Sequence, residues 1–129
     1  MSKNQIHQFD PVIYPRKLWV LKGGDSEMIK EHFTNTDGSE MNIQEQIGDG
    51  AAGMEFQVKS KDNGHLDILV GIEGSVEIGA IAHEAGHVAI DFLHEMEVML
   101  DPLNQEPITY MIGWVADCIW QVKTGNFEE

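Results

Sequence analysis

Residues 78–96 combine two patterns that constrain what this chain can fold into. Apolar residues recur there at helical spacing: Ile78, Ile81, Ala85, Val88, Ala89, Phe92 and Met96. With His83 at zero on a helical wheel, His87 falls at ~40° and the apolar residues at ~140–240°. The pattern predicts a helix that buries one side and leaves the histidine side accessible. Ser75 is the expected N-cap, and Asp101-Pro102 is expected to interrupt the helix.

The histidine side spells His83-Glu84-Ala85-Gly86-His87, an H-E-x-x-H motif. Residues four apart on a helix lie one above the other, so two imidazoles can ligate one zinc ion at ~2.0–2.1 Å each. Glu84 lies ~100° further round, where it can act as general base toward water activated by the metal. Two solvated surface histidines are the structural alternative. We predict a zinc site on His83 and His87.

Asp91 and His94 lie on the same side of the helix and are therefore candidates for further ligands. Asp91 lies ~12 Å along the helix axis from His83, however. Two ligands of one ion must lie within ~4 Å of each other. An unbroken helix therefore excludes both from the ion that the two histidines hold, and Asp91 is better interpreted as a partner that orients His87.

The next predicted helix supplies Glu106 as the candidate third ligand, since a catalytic zinc typically has three protein ligands. Glu106, Tyr110, Gly113 and Asp117 fall within ~40° of one line, opposite the apolar stripe of that helix. Gly113 is expected to let the two helices approach closely. The structural alternative is a solvated stripe in which Glu106 favours the helix N-terminus. Asp101 is the reserve candidate.

The remaining patterns predict strands and one more helix. Lys17–Leu21 is a β-prone run, and a short helix carrying Met28, Ile29 and Phe33 on one side follows it. Alternation over Met54–Val58 and Leu66–Ile72, separated by turn residues, predicts a hairpin. The order β-α-loop-β-β-α-α predicts an α+β domain, with helices against one face of a small, mainly antiparallel sheet.

Composition excludes several classes of partner. The 129 residues fit one domain, 1–129, and the net charge is −14 with no cluster of Lys or Arg. Nucleic acids and anionic membranes are therefore poor partners. Cys118 is the single cysteine, which excludes an internal disulfide and a four-cysteine zinc site. The polar start of the chain and the lack of a long apolar run predict a cytoplasmic protein.

One further motif, Gly48–Gly53, spells G-x-G-x-x-G. A dinucleotide site of this kind needs a helix after the glycines, because the helix N-terminus receives the pyrophosphate. A strand pattern follows here, so we interpret the stretch as a loop.

The motif and its context resemble the zincins, which are metallopeptidases. A Glu on a following helix resembles the gluzincin pattern. His83–His87 together with Asn104–Trp114 also resembles small phage and prophage proteins of unassigned function, and a looser similarity runs to the ImmA/IrrE peptidases. The resemblance implies a minimal zincin-like domain, in which the edge strand of a small twisted sheet lies above the H-E-x-x-H helix. That strand, His65–Ile72, would then pair with an extended substrate. Gluzincins often carry an acidic residue where Tyr110 stands, and Tyr110 would donate a hydrogen bond to a developing oxyanion or simply pack.

These observations lead to two functional hypotheses. The first is a zinc-dependent metallopeptidase that hydrolyses peptide or protein substrates, with Glu84 as general base. The second is a catalytically silent zincin-fold protein that binds metal and acts by interaction, for instance as a phage-encoded modulator of a host protein. The sequence leaves the oligomeric state open.

Overall fold

A computed structural model describes residues 5–12, 16–23, 26–41, 53–62, 64–73 and 75–125 of the chain. In this part of the chain, strands and helices follow in the order β1 Gln5–Phe9, β2 Leu18–Lys22, α1 Ser26–His32, β3 Phe33–Thr34, β4 Gly53–Ser60, β5 Leu66–Ile72, α2 Ile78–Glu95 and α3 Glu106–Thr124. The predicted α+β class is confirmed. The predicted glycine-rich loop lies outside the described residues, apart from Gly53 at the start of β4.

The strands form one mixed sheet in the order β1-β2-β5-β4-β3. β4 and β5 form the predicted antiparallel hairpin, and β1–β2 and β3–β4 are also antiparallel, whereas β2 and β5 run parallel. The expectation that His65–Ile72 forms an edge strand is wrong, because β5 lies between β2 and β4. Among the described residues, β3 pairs only with Lys59 and Ser60 of β4. Within the described residues, Gly53–Val58 therefore has an unpaired outer edge.

The sheet has an apolar cluster on each face. α2 and α3 cover one face, where they pack on Ile68, Val70 and Ile72 of β5. On the other face, Leu69 packs with residues of α1 and β3, among them Ile29 and Phe33. The expectation that all helices pack on one face is therefore wrong. The physical reason is that β5 is central and buries successive residues on opposite sides.

The helix boundaries differ from the predicted ones. Ser75 is not the N-cap of α2, since Glu77 holds that position in an extended conformation and makes no side-chain cap hydrogen bond. At the other end, α2 stops at Glu95, well before Asp101-Pro102. Glu97 adopts a left-handed conformation, with φ 59°, and the Val98 amide donates to the Leu93 carbonyl at 2.8 Å.

A buried carboxylate fixes how the parallel pair β2–β5 begins. Asp67 is 2% exposed, and its two oxygens accept from the Lys17 amide at 2.9 Å and from Trp19 Nε1 at 3.0 Å. Arg16 donates to the Leu66 carbonyl and to Glu95 at the end of α2, both at 2.9 Å. These bonds tie the start of β5 to β2 and to α2.

The two long helices lie side by side on the sheet. α2 contacts β4 and β5, and α3 contacts β1 and β2. The helix that carries the H-E-x-x-H motif therefore borders the hairpin whose outer strand is β4. Neither of these helices, nor α1, has the length and apolar character needed to cross a membrane.

Candidate metal centre

The two motif histidines contact each other on the exposed side of α2. Nε2 of His83 lies 3.2 Å from Nε2 of His87, and the ring planes are inclined at 78°. The His83 side chain is 68% exposed, so the pair can be reached from solvent. This proximity follows from the four-residue spacing on a regular helix.

The separation of the two nitrogens fits a shared metal ion. Two nitrogens bound tetrahedrally to zinc at ~2.0–2.1 Å are ~3.3–3.4 Å apart, close to the 3.2 Å between His83 and His87. The same distance suits an N–H···N hydrogen bond between one donating and one accepting imidazole. The donor set and its geometry are therefore compatible with zinc, and they are explained equally well without it.

Glu84 lies beside the histidine pair and points toward the sheet. Its side chain is 12% exposed, and its Oε2 lies 3.9 Å from His83 Nε2. At that distance the Glu84 carboxylate lies beside the His83 imidazole without forming a hydrogen bond to it. The role of Glu84 as a general base stays a prediction.

A second carboxyl from the sheet faces the same side of α2. The pKa of the Glu55 carboxyl is raised to about 9. Burial is the largest cause, followed by a hydrogen bond with the Asp91 carboxylate and by the charges of Asp91 and Glu84. The buried Oε2 of Glu55 has no donor among the described residues. Two ionised carboxylates cannot hydrogen bond to each other, whereas a protonated Glu55 can donate to Asp91. Glu55 is therefore neutral near pH 7.

This acidic cluster was not predicted from the sequence. The predicted contact of Asp91 with His87 stays a prediction, whereas the structure places the Asp91 carboxylate in a hydrogen bond with Glu55. A signal for Glu55 was present in the alternation of β4. Phe56 and Val58 face the cluster under α1, which directs Glu55 toward the opposite face. Which helix covers that face is decided by long-range packing.

Glu106 and Tyr110 lie on the outer side of α3. Both are exposed, and they line a cavity of about 520 Å³ whose other walls include Pro11, Met111 and Trp114. Tyr110 is 75% exposed, so it does not pack in the interior. The stripe predicted for α3 is therefore accessible, as expected.

The outer side of α3 faces away from α2. The two helices meet through their apolar stripes, in which Ala85 and Val88 share a cluster with Met111 and Val115. Gly113 is exposed, and a Cβ placed there would contact nothing within 4 Å. The expectation that Gly113 brings the helices together is therefore wrong, since it sits on the solvent side.

The structure thus assembles part of the predicted site. It brings together His83, His87 and Glu84, and it places Glu106 and Tyr110 in a separate cavity. Residues 5–12, 16–23, 26–41, 53–62, 64–73 and 75–125 contain no group of three or more His, Cys, Asp or Glu side chains placed to hold a metal ion. A third ligand therefore stays a prediction.

Two further side chains of metal-ligating types are engaged elsewhere. Asp101, the reserve candidate, accepts from the Leu103 amide at 2.9 Å and shapes the turn before α3. Cys118 is buried in the core. Burial, assisted by the charge of Asp117, raises the pKa of the Cys118 thiol to about 12, so the thiolate form that a metal requires is strongly disfavoured.

Comparison with known proteins finds no matching family model, no matching curated protein and no matching solved structure. The assignment of a function therefore depends on the residues and their geometry.

Proposed function

We propose that this chain is a zinc-dependent peptidase. The observation that carries the proposal is the pair of imidazole nitrogens 3.2 Å apart on an exposed helix side, with the Glu84 carboxylate beside them. Surface histidines need not have a carboxylate at the position of a general base. The combination of two donors and an adjacent base is the arrangement required for metal-assisted hydrolysis.

Each residue has a defined part in this reaction. His83 and His87 would hold the ion as neutral imidazoles. Glu106 is the proposed third ligand; because it lines a separate cavity on α3, it would have to approach the histidine pair when the ion binds. When bound, zinc would acidify a water molecule and polarise the scissile carbonyl. Glu84 would accept a proton as the water oxygen bonds to the carbonyl carbon, then deliver it to the amide nitrogen as the C–N bond breaks. Tyr110, one turn after Glu106 in the same cavity, is proposed to donate a hydrogen bond to the carbonyl oxygen in that same arrangement.

The outer edge of β4 supports an extended peptide as substrate. Within the described residues, Gly53–Val58 has backbone groups on that edge that pair with no strand. Glu55 of this segment interacts with Asp91 and Glu84 of α2, so the open edge runs beside the histidine motif. An extended peptide added to a sheet edge gains main-chain hydrogen bonds.

The proposal is tested on protein purified without chelator and without metal-affinity resin. Elemental analysis should find about one zinc per chain, and a peptide library should be cleaved. Glu84→Gln should keep the zinc and lose cleavage by at least ~100-fold, the range expected for loss of a general base. Glu77→Gln is the matched control, because Glu77 is exposed at the N-cap of the same helix and makes no side-chain cap bond.

Two results would overturn the proposal. Cleavage that persists in Glu84→Gln would remove the general base from the mechanism. Purified protein that holds no zinc, and takes up none when it is supplied, would remove the metal site.

The alternative, a metal-binding protein that acts by interaction without catalysis, is favoured by exposed apolar residues between α2 and α3. Met99 is 86% exposed and Leu103 is 96% exposed. This alternative predicts zinc binding, no cleavage of any library peptide, and no effect of Glu84→Gln on partner binding.

A further inference from the structure

The segment between α2 and α3 presents an apolar surface, here called the connector patch. It consists of Ile90 on α2 together with Val98, Met99, Leu100 and Leu103, all of which are exposed. Isolated exposed apolar residues are common on protein surfaces, whereas a contiguous group marks an interaction site. Four of the five lie within residues 98–103, so the patch is local and dense.

Grooves on both sides of Leu100 make the patch concave. One groove, of about 620 Å³, is lined by Ile90, Val98, Met99 and Leu100 among others. The second, of about 380 Å³, is lined by Ile90, Leu100 and Ile108 among others. The two grooves share Ile90 and Leu100 and therefore form one continuous surface, and their volumes lie within the range of ligand clefts, ~300–1,000 Å³.

The segment is held in place by hydrogen bonds of its own. The amides of Glu97 and Val98 donate to carbonyls of the last turn of α2 at 3.0 and 2.8 Å. Further along, the Asn104 amide donates to the Asp101 carbonyl at 3.0 Å, and the Leu103 amide donates to Asp101 Oδ1 at 2.9 Å. These bonds order the backbone, so little conformational entropy remains to be lost when a partner binds.

The charge around the patch selects the class of partner. No Lys or Arg occurs from Asp62 to Val122, and Glu97 and Asp101 are exposed members of the groove walls. A second copy of this chain would bring a further charge of −14, which disfavours self-association. A partner with Lys or Arg beside its apolar face would complement both features of the patch.

We propose that the connector patch binds a basic, amphipathic segment of a protein partner. Apolar side chains of the partner occupy the grooves on both sides of Leu100, and its cations lie against Glu97 and Asp101. A helix with one apolar side fits such a surface. This inference does not depend on the proposed peptidase function.

The test uses the full chain and three synthetic peptides with the same helical periodicity, measured by fluorescence anisotropy at low and high salt. A leucine/lysine peptide should bind, and more weakly at high salt. A serine/lysine peptide of the same charge and a leucine/glutamate peptide of the opposite charge should bind at least ~tenfold more weakly. Equal binding of the leucine/lysine and serine/lysine peptides would overturn the proposal, since it would reflect net charge alone.

Matched variants locate the binding surface. Met99→Ser with Leu103→Ser should weaken binding of the leucine/lysine peptide by about tenfold or more, whereas Ile78→Ser, also highly exposed, should not. Glu97→Lys should weaken it more than Glu73→Lys, which changes the net charge equally. Equal effects within either pair would overturn the proposal.

Two further measurements separate this proposal from its rivals. His83→Ala should leave peptide affinity unchanged, so that loss of the metal site and loss of the patch are distinguishable. Sedimentation should show a monomer whose state does not change with Met99→Ser and Leu103→Ser. A dimer that those substitutions dissociate would identify a second copy as the occupant and overturn the proposal.

Discussion

Helices α2 and α3 divide their residues in the same way, yet their polar sides have different neighbours. Each buries an apolar stripe in the cluster that the two helices share. The polar side of α2 lies next to β4, whose Glu55 carboxyl interacts with Asp91 and Glu84. The polar side of α3 borders an apolar cavity, which Glu106 lines together with Pro107 and Trp114.

This difference shows what turns a polar stripe into a chemically distinctive site. On α2, a neighbouring strand adds a third carboxyl and removes water from it, which shifts the protonation of the group. On α3, the Glu106 carboxylate remains exposed to solvent. The stripe itself is a local property of the sequence, whereas its neighbours are supplied by the fold.

The largest expected effect is a difference in zinc affinity between substitutions of two histidines on the same helix. His83→Ala should abolish zinc binding, weakening it by more than ~100-fold, because loss of a ligand exceeds the 10–100-fold loss typical of groups that only orient ligands. His94→Ala should have no effect, since the helix rise removes His94 from the site. Zinc titration of both variants by calorimetry tests this, and equal affinities would contradict it.

Next, the inner and outer sides of the two helices should differ in their contribution to stability. Phe92 is fully buried and stacks edge-on against Trp114, with ring centroids 6.4 Å apart. Phe92→Ala should lower the free energy of unfolding by ~3–5 kcal/mol. Tyr110→Ala, on the outer side, should change it by ~0.5 kcal/mol or less. Urea unfolding of both variants measures the contrast, and similar losses would show that the outer side is also packed.

A smaller effect is expected for the proposed third ligand. Glu106→Gln should weaken zinc binding by about tenfold or more if Glu106 completes the site. Asp117→Asn removes a charge from the same stripe and should leave the affinity unchanged. If Glu106→Gln also leaves zinc affinity unchanged, Glu106 is not a ligand and the metal site belongs to α2 and its immediate neighbours.

The smallest expected effect concerns the carboxyl of Glu55. Its pKa is raised from about 4.5 to about 9, so the folded chain holds a proton that the unfolded chain releases between these values. The resulting stabilisation is fully present below pH about 4.5 and is lost as the pH rises through about 9. In Glu55→Gln, an amide replaces the carboxyl and can still donate to Asp91.

The unfolding midpoint in urea, measured across this pH range, should therefore fall more steeply for the unsubstituted protein than for Glu55→Gln. Glu73→Gln removes an exposed carboxylate and is the control, with a curve expected to run parallel to that of the unsubstituted protein. Parallel curves for all three proteins would show that Glu55 ionises normally.

Local patterns predicted the strongest elements of the fold. The β4–β5 hairpin and both long helices follow from alternation and helical spacing, which depend on neighbouring residues. β1 was not predicted, because Ile6 and Phe9 contribute to opposite faces of the sheet and show no simple alternation. The central position of β5 depends on its parallel pairing with β2, which no local pattern specifies.

The candidate site divides in the same way. The proximity of His83 and His87 is a property of one helix, and the structure agrees with it. The approach of Glu55 to α2 brings together a strand and a helix that are distant in sequence. The alternation of β4 therefore predicts which face of the sheet Glu55 lies on, but not which helix covers that face. Whether Glu106 joins the histidines depends on the relative rotation of two helices, which the helical wheel of each cannot define.

The parallel pairing of β2 with β5 also has a consequence for synthesis. It joins Lys17 to Asp67 across 50 positions in sequence, and closing so long a loop is entropically unfavourable. The hairpins β1–β2 and β4–β5 can each form early, but isolated two-stranded hairpins are at best marginally stable in water. During translation, the sheet can become continuous only after β5 has left the ribosome. The H-E-x-x-H helix, α2, follows β5 in the chain and emerges later still. A nascent chain halted before Leu66 would therefore present two unfinished sheet edges to chaperones and proteases.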